Sequence, residues 1–238
     1  MSIAGNIAEL REQIDAAARR AGRRPEEIIL MGVTKTHPPG LIREAYHAGL
    51  RLFGENRVQE FAGKATALAD LPGVEWHMIG HLQTNKAAKA VELFGAVDSV
   101  DSLKLAEKLD AAAQSLGKKL NVLIEVNVGG EAAKTGVALD SPDLDEILAA
   151  APRLLGLSFR GLMTVPPYTE DPDGARPYFR KLQSLRDKIA ARKLAAVEMD
   201  VLSMGMSHDF EVAIEEGSTC VRVGTAIFGE REVLALSS

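Results

Sequence analysis

Short apolar runs separated by amphipathic stretches repeat about eight times along this chain, and that alternation limits the folds open to it more than any other feature. The β-like runs lie at 28–33, 50–53, 76–79, 96–100, 122–128, 159–165, 199–203 and 220–223. Helical patterns fill the gaps at 41–48, 58–69, 86–94, 103–116, 144–150, 175–194 and 210–214. Strands that alternate with amphipathic helices form parallel sheets, because the connection from one strand to the next must cross the sheet. Eight such units in 238 residues fit a closed (β/α)8 TIM barrel better than an open doubly wound sheet. A further helix leads the chain over 1–24, with Ile7, Leu10, Ile14 and Ala18 on one face and Gly22 at its end. The expectation is a single barrel domain over 1–238. Pro166, Pro167, Pro172 and Gly174 then mark a long loop after the sixth strand rather than a domain boundary.

Composition removes several function classes. The formal net charge is -5, which argues against a nucleic-acid partner, since that needs a basic surface. No stretch approaches the roughly 20 apolar residues of a membrane span. Residues 1–24 mix charged and apolar side chains, unlike a signal peptide. A cytoplasmic protein is expected. The one cysteine, Cys220, lies in an apolar run and is expected to be buried and inert.

In a barrel, the active face is built at the C-terminal strand ends. Lys35 follows the first apolar run directly. Burial lowers a lysine's pKa, and a neutral amine attacks aldehydes; alternatively the side chain snorkels to solvent. Near the other end stands Val221-Arg222-Val223-Gly224-Thr225. Gly224 and Thr225 at a strand end can present N–H and hydroxyl groups to a phosphate, with Ser203-Met-Gly-Met-Ser207 as the neighbouring segment. Arg222 points opposite to its valine neighbours, into the barrel or into the helix layer. If inward, it needs an acceptor, either a barrel-interior carboxylate or a ligand atom such as a pyridine nitrogen. Gly129, Gly130 and Gly136 match no nucleotide-binding spacing, and His77 and His81 lack the helical context of a zinc site, so no metal is expected.

Several segments carry a resemblance. They are Gly32-Val-Thr-Lys-Thr36, Phe53-Gly-Glu-Asn-Arg-Val-Gln-Glu60, Trp76-His-Met-Ile-Gly-His-Leu-Gln-Thr-Asn-Lys86, Val126-Asn-Val128, Lys134-Thr-Gly-Val137 and Arg160-Gly-Leu-Met163. Leu202-Ser-Met-Gly-Met-Ser-His-Asp209 and the segment from Glu216 to Gly229 complete the set. In order and spacing the chain resembles the YggS/PROSC family of pyridoxal-phosphate-binding proteins over nearly its whole length. The resemblance implies a fold-type III barrel like the N-terminal domain of alanine racemase. It implies pyridoxal 5′-phosphate (PLP) held as an internal aldimine on Lys35, with Arg222 at the pyridine nitrogen and Ser203, Gly224 and Thr225 at the phosphate. Asn56 lies near the cofactor in such proteins. Two positions depart from the pattern. His37 stands where many relatives have lysine, and His208 replaces a small residue and is expected to be a surface variation.

The resemblance implies a protein of intracellular PLP homeostasis without established catalysis. Its partners would be PLP and possible apo PLP-dependent enzymes, and it is expected to be a monomer. The alternative is a PLP-dependent racemase of the alanine racemase type, which needs two acid/base groups on opposite faces of the substrate. Because the chain ends soon after the last strand run, no second domain of the racemase kind is expected. A cofactor-free barrel aldolase with a Schiff-base lysine is a third reading, though its lysine usually sits on a later strand.

Overall fold

The computed structural model describes residues 2–131 and 133–229. Strands β1 (Ile29–Val33), β2 (Leu52–Glu55), β3 (Glu75–Met78), β4 (Ala96–Val100) and β5 (Leu120–Asn127) pair in parallel in that order. A two-residue strand, β6 (Val137–Ala138), adds only to the C-terminal end of β5. The ring continues from β5 to β7 (Leu157–Met163), β8 (Val197–Ser203) and β9 (Cys220–Val223), and β9 pairs with β1 to close it. Without β6 this is the closed eight-stranded parallel barrel that the alternation predicts.

Outside the strands lie α2 (Pro39–His47), α3 (Val58–Leu68), α4 (Ala87–Leu93), α5 (Leu103–Ser115), α6 (Pro142–Ala150), α7 (Arg176–Ala191), α8 (Phe210–Glu215) and a single turn, α9 (Thr225–Phe228). The predicted second strand moves. Leu50 is buried in the turn before it, and the strand runs on to Glu55, because Gly54 pairs with Val33 and Glu55 with Met78. A buried glutamate in a strand is not an apolar signal, so the run looked shorter than the strand. No apolar run marked β6 at all.

The leading helix, α1 (Ile3–Arg20), is capped by the Ser2 hydroxyl, which accepts the Gly5 N–H at 3.1 Å. It buries Ile3, Ile7, Leu10, Ile14, Ala17 and Ala18. It straps the last part of the chain to the first. Asn6 Nδ2 donates to the Ile227 carbonyl at 2.8 Å, Arg23 just beyond the helix donates to the Ile214 and Ser218 carbonyls, and Arg20 pairs with Glu211 and Glu215.

The seam between β7 and β8 depends on one glycine. A Cβ at Gly161 would lie 1.9 Å from the Val201 carbonyl oxygen, where the strand register slips. Only glycine lets the two backbones approach so closely there.

Candidate functional site

A cavity of about 340 Å³ opens at the C-terminal ends of the strands around the β9–β1 closure. Lys35 lines it, half-buried, two residues past the end of β1. Asn56, immediately after β2, lines it as well. Gly80 fixes the path of that loop. Its Cα passes so near the Asn56 backbone that a Cβ would lie 2.4 Å from the Asn56 carbonyl oxygen. Ser99 Oγ donates to the Gly80 carbonyl at 2.7 Å and holds it in place.

Arg222 settles the direction left open by alternation. It points into the barrel, is 4 % exposed, and lines the cavity. Its acceptors are neutral: Nη1 donates to Ser203 Oγ and Nη2 to the Thr164 carbonyl, both at 2.7 Å. Burial pushes the guanidinium pKa down, against Cys220, Asp98, Glu125 and Asp209, which raise it. With five N–H donors in the group, further N–H groups remain for an acceptor in the cavity.

Gly224 and Thr225 line the cavity beside Lys35. Ser203 does not. It is fully buried, and its hydroxyl accepts from Arg222, so the expected phosphate role meets a side chain already committed beneath the site. The hydroxyl of that segment that does reach the lining is Ser207, which also accepts the Ala226 N–H at 3.4 Å. Two serines four residues apart at a strand end cannot be ranked by sequence alone, because the turn at Gly205 (φ 95°) decides which one emerges.

His37 and His208 complete the polar lining. The His37 ring packs against Phe228 with centroids 4.7 Å apart. His208 is exposed, as expected, but it is more than surface variation. Its Nε2 lies 3.1 Å from both the Thr169 and Glu170 carbonyl oxygens, so that nitrogen carries the proton, and its ring sits 5.5 Å from that of Tyr168. It ties the long loop after β7, whose Val165 lines the cavity, to the loop after β8.

The remaining sequence candidates lie elsewhere. His77 Nδ1 bonds Asp98 at 3.1 Å and His81 Nδ1 bonds Asp101 at 3.2 Å, as separate pairs. Among the described residues no group of three or more His, Cys, Asp or Glu is arranged to hold a metal ion. Cys220 is buried, and burial pushes its thiol up to about 12, so it is not a thiolate at neutral pH. Among the described residues, no helix is long and apolar enough to cross a membrane.

Residues 6–232 match the family model of the alanine racemase N-terminal domain. A pyridoxal phosphate homeostasis protein of Aquifex aeolicus (strain VF5) is 47 % identical over 232 residues, covering 98 % of this chain and all of the relative. One of Escherichia coli (strain K12) is 44 % identical over 236 residues, covering 97 % of each chain. The solved structure of PipY from Synechococcus elongatus PCC7942, with PLP bound, superposes with a TM-score of 0.83 at 38 % identity, covering 96 % of this chain and 100 % of that one. An alanine racemase of Clostridium difficile 630 shares the fold at a TM-score of 0.69 and 17 % identity, and this chain spans 57 % of its length. The chain therefore belongs to the alanine racemase N-terminal domain family and, within it, to the pyridoxal phosphate homeostasis proteins.

Proposed function

We propose that the protein binds PLP in this cavity, covalently through Lys35, and holds it for intracellular cofactor homeostasis rather than turning over amino acids. One observation carries the reading: an amine, a buried guanidinium and a pair of hydroxyls line a single cavity. That donor set matches the aldehyde, ring nitrogen and phosphate of PLP in kind. The volume, about 340 Å³, lies in the ordinary range for small-ligand sites.

Lys35 supplies the nucleophilic amine. Thr225, Gly224 and Ser207 would receive the phosphate, and Ser203 serves instead to aim Arg222. When bound, PLP supplies an aldehyde that captures amines and a ring that can accept electrons. Arg222 can only donate, so it keeps a ring nitrogen beside it unprotonated. An unprotonated ring withdraws electrons weakly, which suits a protein that keeps its cargo unreacted. The names of the close relatives and the PLP in PipY support the same conclusion. Transfer of the cargo to apo-enzymes, and action as a monomer in the cytoplasm, belong to this proposal.

A racemase remains the competing reading, because the fold is shared with alanine racemases and the lining holds His37 and His208 beside Lys35 as proton-handling groups. The test begins with absorption of the purified protein loaded with PLP, before and after borohydride. A visible Schiff-base band, trapped on Lys35 and lost in folded Lys35→Ala, is expected. Trapping on another lysine refutes the assignment. Loaded protein is then mixed with L-alanine in deuterated water and, separately, with an apo-enzyme. Transfer to the apo-enzyme is expected, without α-proton exchange beyond that of free PLP. Stereoinversion at roughly 1 per second or faster would restore the racemase.

A further inference from the structure

The loop that carries Lys35 rests on a buried charge cluster that no apolar pattern revealed. Lys64, on α3, is 8 % exposed, and its Nζ donates toward four oxygens. These are Glu55 Oε1 at 2.7 Å, the Thr34 carbonyl at 3.0 Å, Glu60 Oε1 at 3.1 Å and the His37 carbonyl at 3.4 Å. Glu55 is fully buried, and its Oε1 also accepts the Thr34 hydroxyl at 2.5 Å. Glu60 Oε1 accepts the Thr36 N–H. Every backbone or side-chain group gripped here belongs to Thr34, Thr36 or His37, the residues around Lys35.

Thr36 shows what the grip achieves. Its φ is 66°, in the left-handed region, which a β-branched residue adopts only when its surroundings impose it. The N–H held by Glu60 is the one at this strained residue. The turn it enforces takes the chain out of β1 and leaves Lys35 in the cavity lining, while Thr36 itself faces solvent. Two carboxylates around one ammonium are also an uneconomical way to stabilise a barrel. Burial raises the Glu55 carboxyl, against Lys64 and Thr34, and Glu55 Oε2 is buried with no hydrogen-bond partner. An apolar contact would stabilise better, so the arrangement is explained by what it holds.

We infer that Glu60 and Lys64, with Glu55 beneath them, are positioning residues for Lys35: they lock the left-handed turn at Thr36 and so aim the amine at a bound aldehyde. The inference rests on the PLP reading above. It separates two kinds of binding. A ligand that needs only the ring and phosphate contacts should be indifferent to the cluster, whereas one that must be captured by Lys35 should not.

The probes are therefore PLP and pyridoxine 5′-phosphate, which has an alcohol where PLP has the aldehyde. Glu60 is preferred to Lys64 for substitution, because removing Lys64 strands the buried Glu55 carboxylate and endangers folding. Glu60→Leu, checked for folding by thermal unfolding, should form the Schiff-base band at least tenfold more slowly and bind PLP at least tenfold more weakly. Its affinity for pyridoxine 5′-phosphate should stay within twofold of wild type. Glu60→Gln keeps an acceptor oxygen for the Thr36 N–H and should recover most of the rate. Equal losses for both ligands, or a Gln variant as slow as the Leu variant, would overturn the positioning role. If the wild type binds neither ligand, the PLP reading itself fails; if it binds both and Glu60→Leu is unaffected, only this inference does.

Discussion

The two halves of the barrel mouth are built from the same kinds of residue and do opposite things. Around β5 the polar side chains bond neighbouring side chains and backbone carbonyls instead of lining a cavity. Thr135 Oγ1 donates to Glu125 Oε1 at 2.7 Å, Thr164 Oγ1 to the Val126 carbonyl at 2.6 Å, and Asn127 Nδ2 to the Glu131 carbonyl at 2.9 Å. The short β6 covers the end of β5. Around β9 and β1 the polar groups instead line a cavity, and even the buried Arg222 reaches it. A polar residue at a strand end is thus no mark of function by itself. What distinguishes the open half is that its polar groups line a cavity, with Arg222 held from below by Ser203 and the Thr164 carbonyl.

That contrast can be broken from either side. The largest expected effect is in the closed half. Ile124→Ala empties a fully buried site on β5 and should cost about 2–5 kcal/mol of stability, read by denaturant unfolding. The folded fraction should still bind PLP normally, and a matching loss of intrinsic affinity would mean the halves are not separate. In the open half, Thr225→Val should do the reverse. It should weaken PLP binding by about 1.5–3 kcal/mol, the range for hydrogen bonds to charged groups, with stability little changed. Pyridoxal, which lacks the phosphate, should bind far more weakly and hardly notice the substitution. Equal losses for both ligands would take Thr225 out of the phosphate site.

Thr135→Val is a smaller test, and it depends on pH. Burial raises the Glu125 carboxyl above the ordinary range, and the Thr135 hydrogen bond partly offsets that. Its ionisation therefore costs folded-state stability that is absent below the unfolded carboxyl pKa and grows as pH rises through the folded one. Removing the hydroxyl should cost about 1–3 kcal/mol near neutrality. The deficit should shrink as pH falls through the raised folded-state pKa of Glu125 and be smallest once the carboxyl is protonated in both proteins, near the ordinary Glu range. Unfolding curves at several pH values measure it, and a deficit independent of pH would place the Glu125 charge elsewhere.

The barrel was legible because its evidence is periodic. Parallel strands buried on both faces read as apolar runs, and helices between them read as stripes. Lys35, Asn56, Gly224 and Thr225 follow those runs within three residues and Arg222 lies inside one, and all five line one cavity. Which of Ser203 and Ser207 reaches the cavity lining is not legible, because a glycine turn at Gly205, invisible to periodicity, separates them. The Glu55–Lys64–Glu60 cluster was missed for a related reason. Glu60 and Lys64 stand four apart on α3, a spacing that ordinarily marks a solvated helix face, and only the fold turns that face inward. The two-residue β6 is too short to carry any pattern.

The strap from α1 to the last helices has a consequence in time. Lys35 reaches the cavity from near the start of the chain and Arg222, Gly224 and Thr225 from near the end of its described part, and Asn6 is bound to Ile227 across nearly all of it. During synthesis Lys35 emerges early, while Arg222 and Thr225 arrive only when most of the barrel already exists. Joining such distant segments is the slowest kind of contact for a chain to find. A nascent or partly opened barrel therefore carries Lys35 without the C-terminal groups that line the cavity with it. Any ligand held by both ends acts as a clasp on the closed ring, and its free concentration sets how firmly the ring stays shut.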